Sequence, residues 1–188
     1  MAAPLSPHPG LPGLKNGEHW ACLGLGSNIE PRKNIHMAVA LLCASLNVVA
    51  VSTAWETPAV GRPAPDFINA ALLVYTELSP EQLKYGNNRL IEHWLGRVRS
   101  EDPNAPRTID IDILVYDGEV LDPEVWEQAY LTVPLAELVP GLIHPQTGQT
   151  IREAAEHLLE ITDIKGCPEI LAEFPCPSET MADSRPGG

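Results

Sequence analysis

Cations are scarce in this sequence: 12 Lys and Arg stand against 25 Asp and Glu in 188 residues, a formal net charge of −13. That balance excludes general affinity for nucleic acid or an anionic membrane surface. No apolar run approaches the roughly 20 residues of a membrane span. The N-terminus also lacks a charged segment followed by an apolar stretch, as a secretory signal would require. The four cysteines, at 22, 43, 167 and 176, form no C-x-x-C pair, and the histidines are scattered, so neither a zinc site nor a disulfide framework is expected. Two of the cysteines fall in apolar segments, where a reduced, buried thiol is the usual state. Gly24-Leu25-Gly26-Ser27-Asn28 lacks the Gly-Lys-Thr/Ser ending of a P-loop. These absences point to a cytoplasmic chain with no nucleic-acid or membrane partner; a monomer or small homo-oligomer is the expectation, which the absences do not decide.

What is present suits one domain with one substantial core, since 44% of the residues are apolar and 20% charged. Residues 1–18 are rich in Pro and Gly and read as a disordered leader; residues 165–188 read as a poorly structured tail, which leaves 19–164 as the folded body. Within that body, Trp20–Leu25 suits a buried strand. Pro31 opens a helix over 31–46, on which Ile35, Val39, Leu42 and Leu46 recur at helical spacing. Residues 48–55 are β-branched and apolar and predict one strand. Pro58, Pro63, Pro65 and Gly61 make 57–66 a loop, and Phe67–Thr76 predicts a third strand. Ser79 caps a helix whose inner face carries Leu83, Leu90, Ile91 and Trp94; Gly86 interrupts its regularity and Gly96 suits its end. Residues 108–116 predict a fourth strand, 134–139 a helical turn and 150–160 a last helix. Strand, helix, strand, strand, helix, strand is the split βαβ order of a ferredoxin-like α+β fold: an antiparallel sheet, here with additional C-terminal helices.

In the strand at 108–116, Ile109, Ile111 and Ile113 alternate with Asp110 and Asp112. Both carboxylates therefore project from one face, their Cα atoms roughly 6.5–7 Å apart. That spacing suits two magnesium ions roughly 3.5–4 Å apart. Adjacent carboxylates raise each other's proton affinity unless a cation lies between them. A solvated strand face would alternate just as well, but has no need of two aspartates preceded by Arg107. Arg97, Arg99 and Arg107 flank the loop-like stretch 100–106, and the planar guanidinium fork binds phosphate oxygens in pairs.

Five segments now carry a resemblance. Gly24–Asn28, Glu56–Gly61, Asp66–Ala70, Gly96–Arg99 and Pro106–Asp112 resemble, in order and spacing, the motifs of the 6-hydroxymethyl-7,8-dihydropterin pyrophosphokinase family. The resemblance covers roughly residues 20–160. It implies transfer of pyrophosphate from ATP to the hydroxymethyl group of the pterin, with AMP released and two Mg2+ ions bound by Asp110 and Asp112. It further implies that Arg97 and Arg107 contact ATP phosphates and that Arg99 moves in on a catalytic loop. Thr57, Pro58, Val60, Phe67, Asn69 and Tyr130 would bind the pterin, and Glu92 and Ile113 would lie on the nucleotide side.

The chain departs from the family pattern at Pro103, Asn104 and Ala105, where a basic residue, a tryptophan and a glycine are usual. The segment Asp122–Leu131 is shorter than in the family and has Gln128 in place of an arginine. Two other readings fit the residues: a pterin-binding homologue with altered or weak nucleotide use, and a ferredoxin-like binding module without catalysis.

Overall fold

The computed structural model describes residues 13–58, 65–99 and 105–174. Strand β1 (His19–Ser27) leads into helix α1 (Pro31–Ser45), followed by β2 (Asn47–Val51), β3 (Trp55–Thr57) and β4 (Phe67–Thr76). A helical stretch comes next: α2 (Pro80–Gln82), one π-helical segment (Leu83–Asn88) and α3 (Arg89–Trp94). Then come β5 (Asp110–Tyr116), β6 (Glu119–Val120), α4 (Ala129–Leu138), α5 (Ile151–Ile161) and β7 (Lys165–Gly166). Among the described residues, seven strands form one sheet in the order β6-β5-β1-β4-β3-β7, with β2 also on β4. The pairings are antiparallel. This is the α+β ferredoxin-like arrangement expected, with β1 and β4 at its centre.

Period-two alternation sends the central strands to two cores. Ala21, Leu23 and Leu25 of β1 join Ile68, Ala70, Leu72 and Val74 of β4 beneath Ile35, Ala38, Val39 and Leu42 of α1. Trp20, Cys22, Leu73 and Tyr75 point the other way, onto Leu135 and Leu138 of α4. Beside β5 the register on β1 shifts between Cys22 and Leu23, whose partners are Val115 and Ile113. Leu114 is therefore an extra residue, a bulge that lets both Leu114 and Val115 pack on the α4 side. Helix α4 covers only part of its face. The other end, where Gly26, Asn69, Asp110 and Asp112 lie, is the open floor of the site.

Five expectations need correction. The single strand over 48–55 is two short strands, because Ser52 leaves the ladder: its hydroxyl accepts from Ala71 N–H at 2.9 Å, and its own N–H reaches Ala71 O at 2.9 Å. Leu90 and Trp94 are exposed rather than inward, since the π-helical segment rotates everything after it. Leu83 and Ile91 stay in the core, and Asn88 and Glu92 turn in with them. The helical turn at 134–139 belongs to a longer helix starting at Ala129, which carries Pro134 in its interior because tertiary packing overrides the local preference. Finally, the chain beyond 164 contributes to the core: β7 pairs with β3, and Cys167, Ile170 and Leu171 are buried against α1. Leu14, inside the expected leader, packs on the α4-side core.

Candidate active site

The floor is set by register. Asn69 on β4, Gly26 on β1 and Asp110 on β5 stand directly opposite one another across three strands. Asn69 and Asp110 are thus two strand spacings apart, roughly 9.5 Å, on one face. Glycine between them has no side chain to fill the gap; a Cβ there would lie 3.0 Å from Asn69 Oδ1 and 3.9 Å from Phe67 Cδ1. One row further along, Gly24 faces Asp112, and the Leu114 side chain occupies the space beside that glycine.

Asp110 is held by two cations. Arg97 Nη1 pairs with its Oδ1, and Arg107 Nη1 donates to its Oδ2 at 2.6 Å. Burial pushes the Asp110 carboxyl up, but the Arg97 and then the Arg107 guanidinium outweigh it and hold the group below the usual carboxylate range. Asp112, exposed at the same face, is raised, first by the protein mass around it and then by the charge of Asp110. The pair is thus asymmetric, with one acid neutralised by arginines and the other lifted by burial and by its neighbour's charge.

Glu92 and Arg97 have a second task. Here, among the described residues, the outer edge of β5 has no strand beside it, since β6 pairs with Val115 and Tyr116. Glu92 Oε1 accepts from Ile111 N–H at 3.0 Å, Arg97 Nη1 donates to Ile109 O at 2.8 Å, and Asn88 Nδ2 reaches Ile111 O at 3.4 Å. These side chains stand in for a missing strand and pin the Asp-x-Asp segment in place. Glu92, buried, also receives Arg99 Nη2 at 2.8 Å and Arg97 Nη1 at 3.4 Å. Its pKa is raised by burial, an effect opposed by the Ile111 N–H and by Arg97 and reinforced by Asp110.

At the other end of the row, Asn69 Nδ2 donates to Thr57 Oγ1 at 2.8 Å, and both residues are buried. Phe67, half-buried, lies 5.8 Å beneath the Arg107 guanidinium, which so bridges the aromatic corner and the acids. Tyr130 opens α4, and its hydroxyl donates to Glu124 Oε2 at 3.3 Å; burial and then Glu124 push its pKa up to about 12. Beyond Asp112, a cleft of about 350 Å³ is lined by Ile113, Asp112, Lys84, Tyr85, Leu121 and Asp122, among others.

The model for 7,8-dihydro-6-hydroxymethylpterin-pyrophosphokinase matches residues 22–140, a span that includes most of β1, the π-helical turn, the Asp-x-Asp strand and all of α4. The chain belongs to this family. A 2-amino-4-hydroxy-6-hydroxymethyldihydropteridine pyrophosphokinase of Methylorubrum extorquens is 42% identical over 150 residues, covering 73% of this chain and 92% of the relative. One from Synechocystis is 34% identical over 151 residues, 74% of this chain and 76% of the relative. Among solved structures, the wild-type HPPK-DHPS of Plasmodium falciparum superposes with a TM-score of 0.61 at 13% identity; the match covers 76% of this chain and 41% of that longer one, and it speaks to the fold.

For this pyrophosphokinase-family chain, the structure brings Thr57, Phe67, Asn69, Arg97, Arg107, Asp110 and Asp112 to one open end of the sheet face. Glu92 and Arg99 sit behind the edge of β5, Ile113 lines the cleft, Tyr130 closes the side next to α4, and Pro58 is exposed. Val60 and residues 100–104 of the flanking loop lie outside the described residues. Sequence reasoning missed Asn28 as a builder of the site: its Oδ1 accepts from Arg107 N–H at 2.8 Å and its N–H donates to Arg107 O at 3.1 Å, fixing the start of the Asp-x-Asp strand. The only signal was its place after the Gly-x-Gly-Ser end of β1.

Among the described residues, no group of three or more His, Cys, Asp and Glu side chains is placed to hold a metal. Two carboxylates nevertheless fit magnesium, which prefers oxygen donors and fills its remaining positions with water and substrate phosphates rather than with an all-protein cage.

Proposed function

We propose that this chain transfers the pyrophosphoryl group of ATP to the hydroxymethyl group of 6-hydroxymethyl-7,8-dihydropterin, releasing AMP, as a step of folate biosynthesis. The observation that carries this reading is the row Asn69–Gly26–Asp110, which sets an amide suited to a heterocycle edge and a carboxylate suited to a phosphate-bound cation on one open floor. Asn69 and Thr57 offer hydrogen bonds to the pterin ring, Phe67 and Tyr130 flat apolar faces, and Pro58 and Val60 a border. The cleft past Asp112, with Ile113, takes the nucleoside end. The substrate hydroxyl then meets the β-phosphorus near the acids.

Asp110 and Asp112 would hold two Mg2+ ions. Bound there, the ions neutralise phosphate charge and lower the pKa of the attacking hydroxyl. Asp110 is ionised across the physiological range because its arginines keep it so. Arg97 and Arg107 already converge on Asp110, so a triphosphate arriving at that point exchanges one anionic partner for another without reorganising the arginines. Arg99, the most exposed of the three and, among the described residues, tied to Glu92 alone, is the one suited to move inward. Among the described residues, no side chain stands out as a general base. Cys22 and Cys167 are free and buried, which supports the reducing environment of the cytoplasm.

The test is an assay of the purified chain with the hydroxymethyl-dihydropterin, ATP and magnesium. AMP formed in step with pterin consumption supports the reading; pterin-dependent ADP, or no pterin-dependent turnover, refutes it.

A further inference from the structure

We infer that Glu137 is a positioning residue for the pterin: its carboxylate joins α4 to the start of β3 and thereby holds Thr57 against Asn69. The inference rests on the pyrophosphokinase reading of the site.

Glu137 lies near the end of α4 and is half-buried. Its two oxygens are used by two different donors: Oε2 accepts Thr53 N–H at 2.8 Å, and Oε1 accepts the Trp55 indole N–H at 2.6 Å. Thr53 lies in the interruption between β2 and β3, just after Ser52, and Trp55 is the first residue of β3. Among the described residues no Lys, Arg or His pairs with Glu137, so the carboxylate is there for the N–H groups and not for a countercharge.

Strand β3 needs such a brace. It is three residues long, and β7 supports only Trp55 and Glu56 on its outer side, so Thr57 is held by β4 alone. Trp55 stands opposite Asn69 and Thr57 opposite Phe67, and all four side chains share the floor's face. Behind Trp55, its ring packs with Val133 of α4 and Ala155 and Leu158 of α5. Fixing the indole therefore fixes the residue two before Thr57, and with it the Thr57 hydroxyl that receives Asn69. Tyr130 lies seven residues earlier on the same helix, roughly 10 Å along its axis. One carboxylate thus couples two walls of the pterin corner, whereas Asp112 and the cleft beyond it are built on β5 and the π-helical turn.

A carboxylate accepts from both donors at once. Glutamine at 137 has one accepting oxygen and would turn an NH2 toward the second N–H, so Glu137→Gln breaks half of the brace with little change in volume. Trp55→Phe keeps an aromatic ring in the packing and removes only the indole donor. The experiment measures steady-state KM for the pterin and for ATP in wild type, in E137Q, in W55F and in the double variant. The expected result is AMP formation by wild type and a roughly tenfold rise in pterin KM in each single variant, with ATP KM unchanged. The double variant should show less than the product of the two effects, because both act on the one brace centred on Glu137. If E137Q does not fold, W55F alone carries the same comparison. An unchanged pterin KM, or an ATP KM that rises in step with it as general loosening of the fold would produce, overturns the inference. A wild-type chain that makes no AMP overturns the underlying reading instead.

Discussion

Gly26→Ala separates the site from the scaffold. The new Cβ would sit 3.0 Å from Asn69 Oδ1, a few tenths of an ångström closer than ordinary contact, while its next neighbour, Phe67 Cδ1, is at a comfortable 3.9 Å. The obstructing atom is the end of a side chain, so the backbone of β1 can stay and the Asn69 amide rotates away. Rotation breaks the 2.8 Å bond to Thr57 Oγ1. Losing one neutral hydrogen bond costs about 1 kcal/mol, and leaving the buried amide short of a partner costs about 1–3 kcal/mol. In the free protein that is a fall of a few degrees in Tm, at about 2–4 °C per kcal/mol for a chain of this size. For the pterin, whose hydrogen bonds depend on the same amide, it means a KM higher by roughly tenfold, or about 1.4 kcal/mol. Gly24→Ala is the control. There the Cβ would meet three Leu114 atoms at 2.9 to 3.1 Å, and Leu114 is a buried core residue. Overpacking of that kind costs about 1–3 kcal/mol of stability without touching Asn69. Steady-state kinetics and thermal melts on both variants decide the matter. If G26A leaves pterin KM alone, or if G24A raises it more than G26A does, the assignment of the Asn69 row to pterin binding is refuted.

Asp112→Asn should abolish turnover while leaving Tm within about 2 °C, because the side chain is exposed and surface changes are usually within ~0.5 kcal/mol; near-normal rates in that variant would remove the metal assignment. Arg97 and Arg99 should divide differently. Arg97 is 13% exposed and joins Glu92, Asp110 and Ile109 O, so R97A strips a buried network and should cost about 3–5 kcal/mol in a denaturant melt. Arg99 is 58% exposed, so R99A should cost about 1 kcal/mol or less yet still slow AMP formation; equal destabilisation by the two would contradict the edge-capping role given to Arg97. In metal-free protein, carbon-detected NMR should place the Asp112 midpoint above the ordinary ~3.9 of aspartate. Magnesium therefore loses to protons on acidification earlier than at an unperturbed aspartate, and binding recovers as pH rises. Removing the like charge in D110N should bring the Asp112 midpoint down; a midpoint already at or below the ordinary value in wild type would show that burial and Asp110 do not act as described.

Much of this was legible in the sequence because the central strands state their periods plainly. The Asp110/Asp112 alternation with three isoleucines predicted both the buried and the open face of β5, and the element order predicted the sheet. The misreadings have local causes. A single apolar run, 48–55, hid a break because its interrupting residue, Ser52, satisfies the neighbouring backbone with its own hydroxyl. Gly86 announced an irregular helix but not that the irregularity was a π-helical turn, and only that turn explains why Leu90 and Trp94 face outward while Glu92 faces in. Glu92 could be matched to the family, yet its bond to Ile111 N–H depends on β5 having an uncovered edge, a tertiary fact with no sequence signal. Glu137 is likewise silent in sequence: an acidic residue on an apolar helix gains its meaning from two N–H groups more than eighty positions away.

The central claim is that Asp110 and Asp112 grip divalent cations between the nucleotide cleft and the pterin corner. Crystals of the chain with Mn2+, a non-hydrolysable ATP analogue and the pterin test it most directly, because manganese is visible by anomalous scattering. The account predicts two anomalous peaks, each within coordination distance of an oxygen of Asp110 or Asp112 and of the analogue's phosphates. Peaks elsewhere, or analogue bound with Asp110 still paired with Arg97 and Arg107 and Asp112 left to solvent, would contradict it.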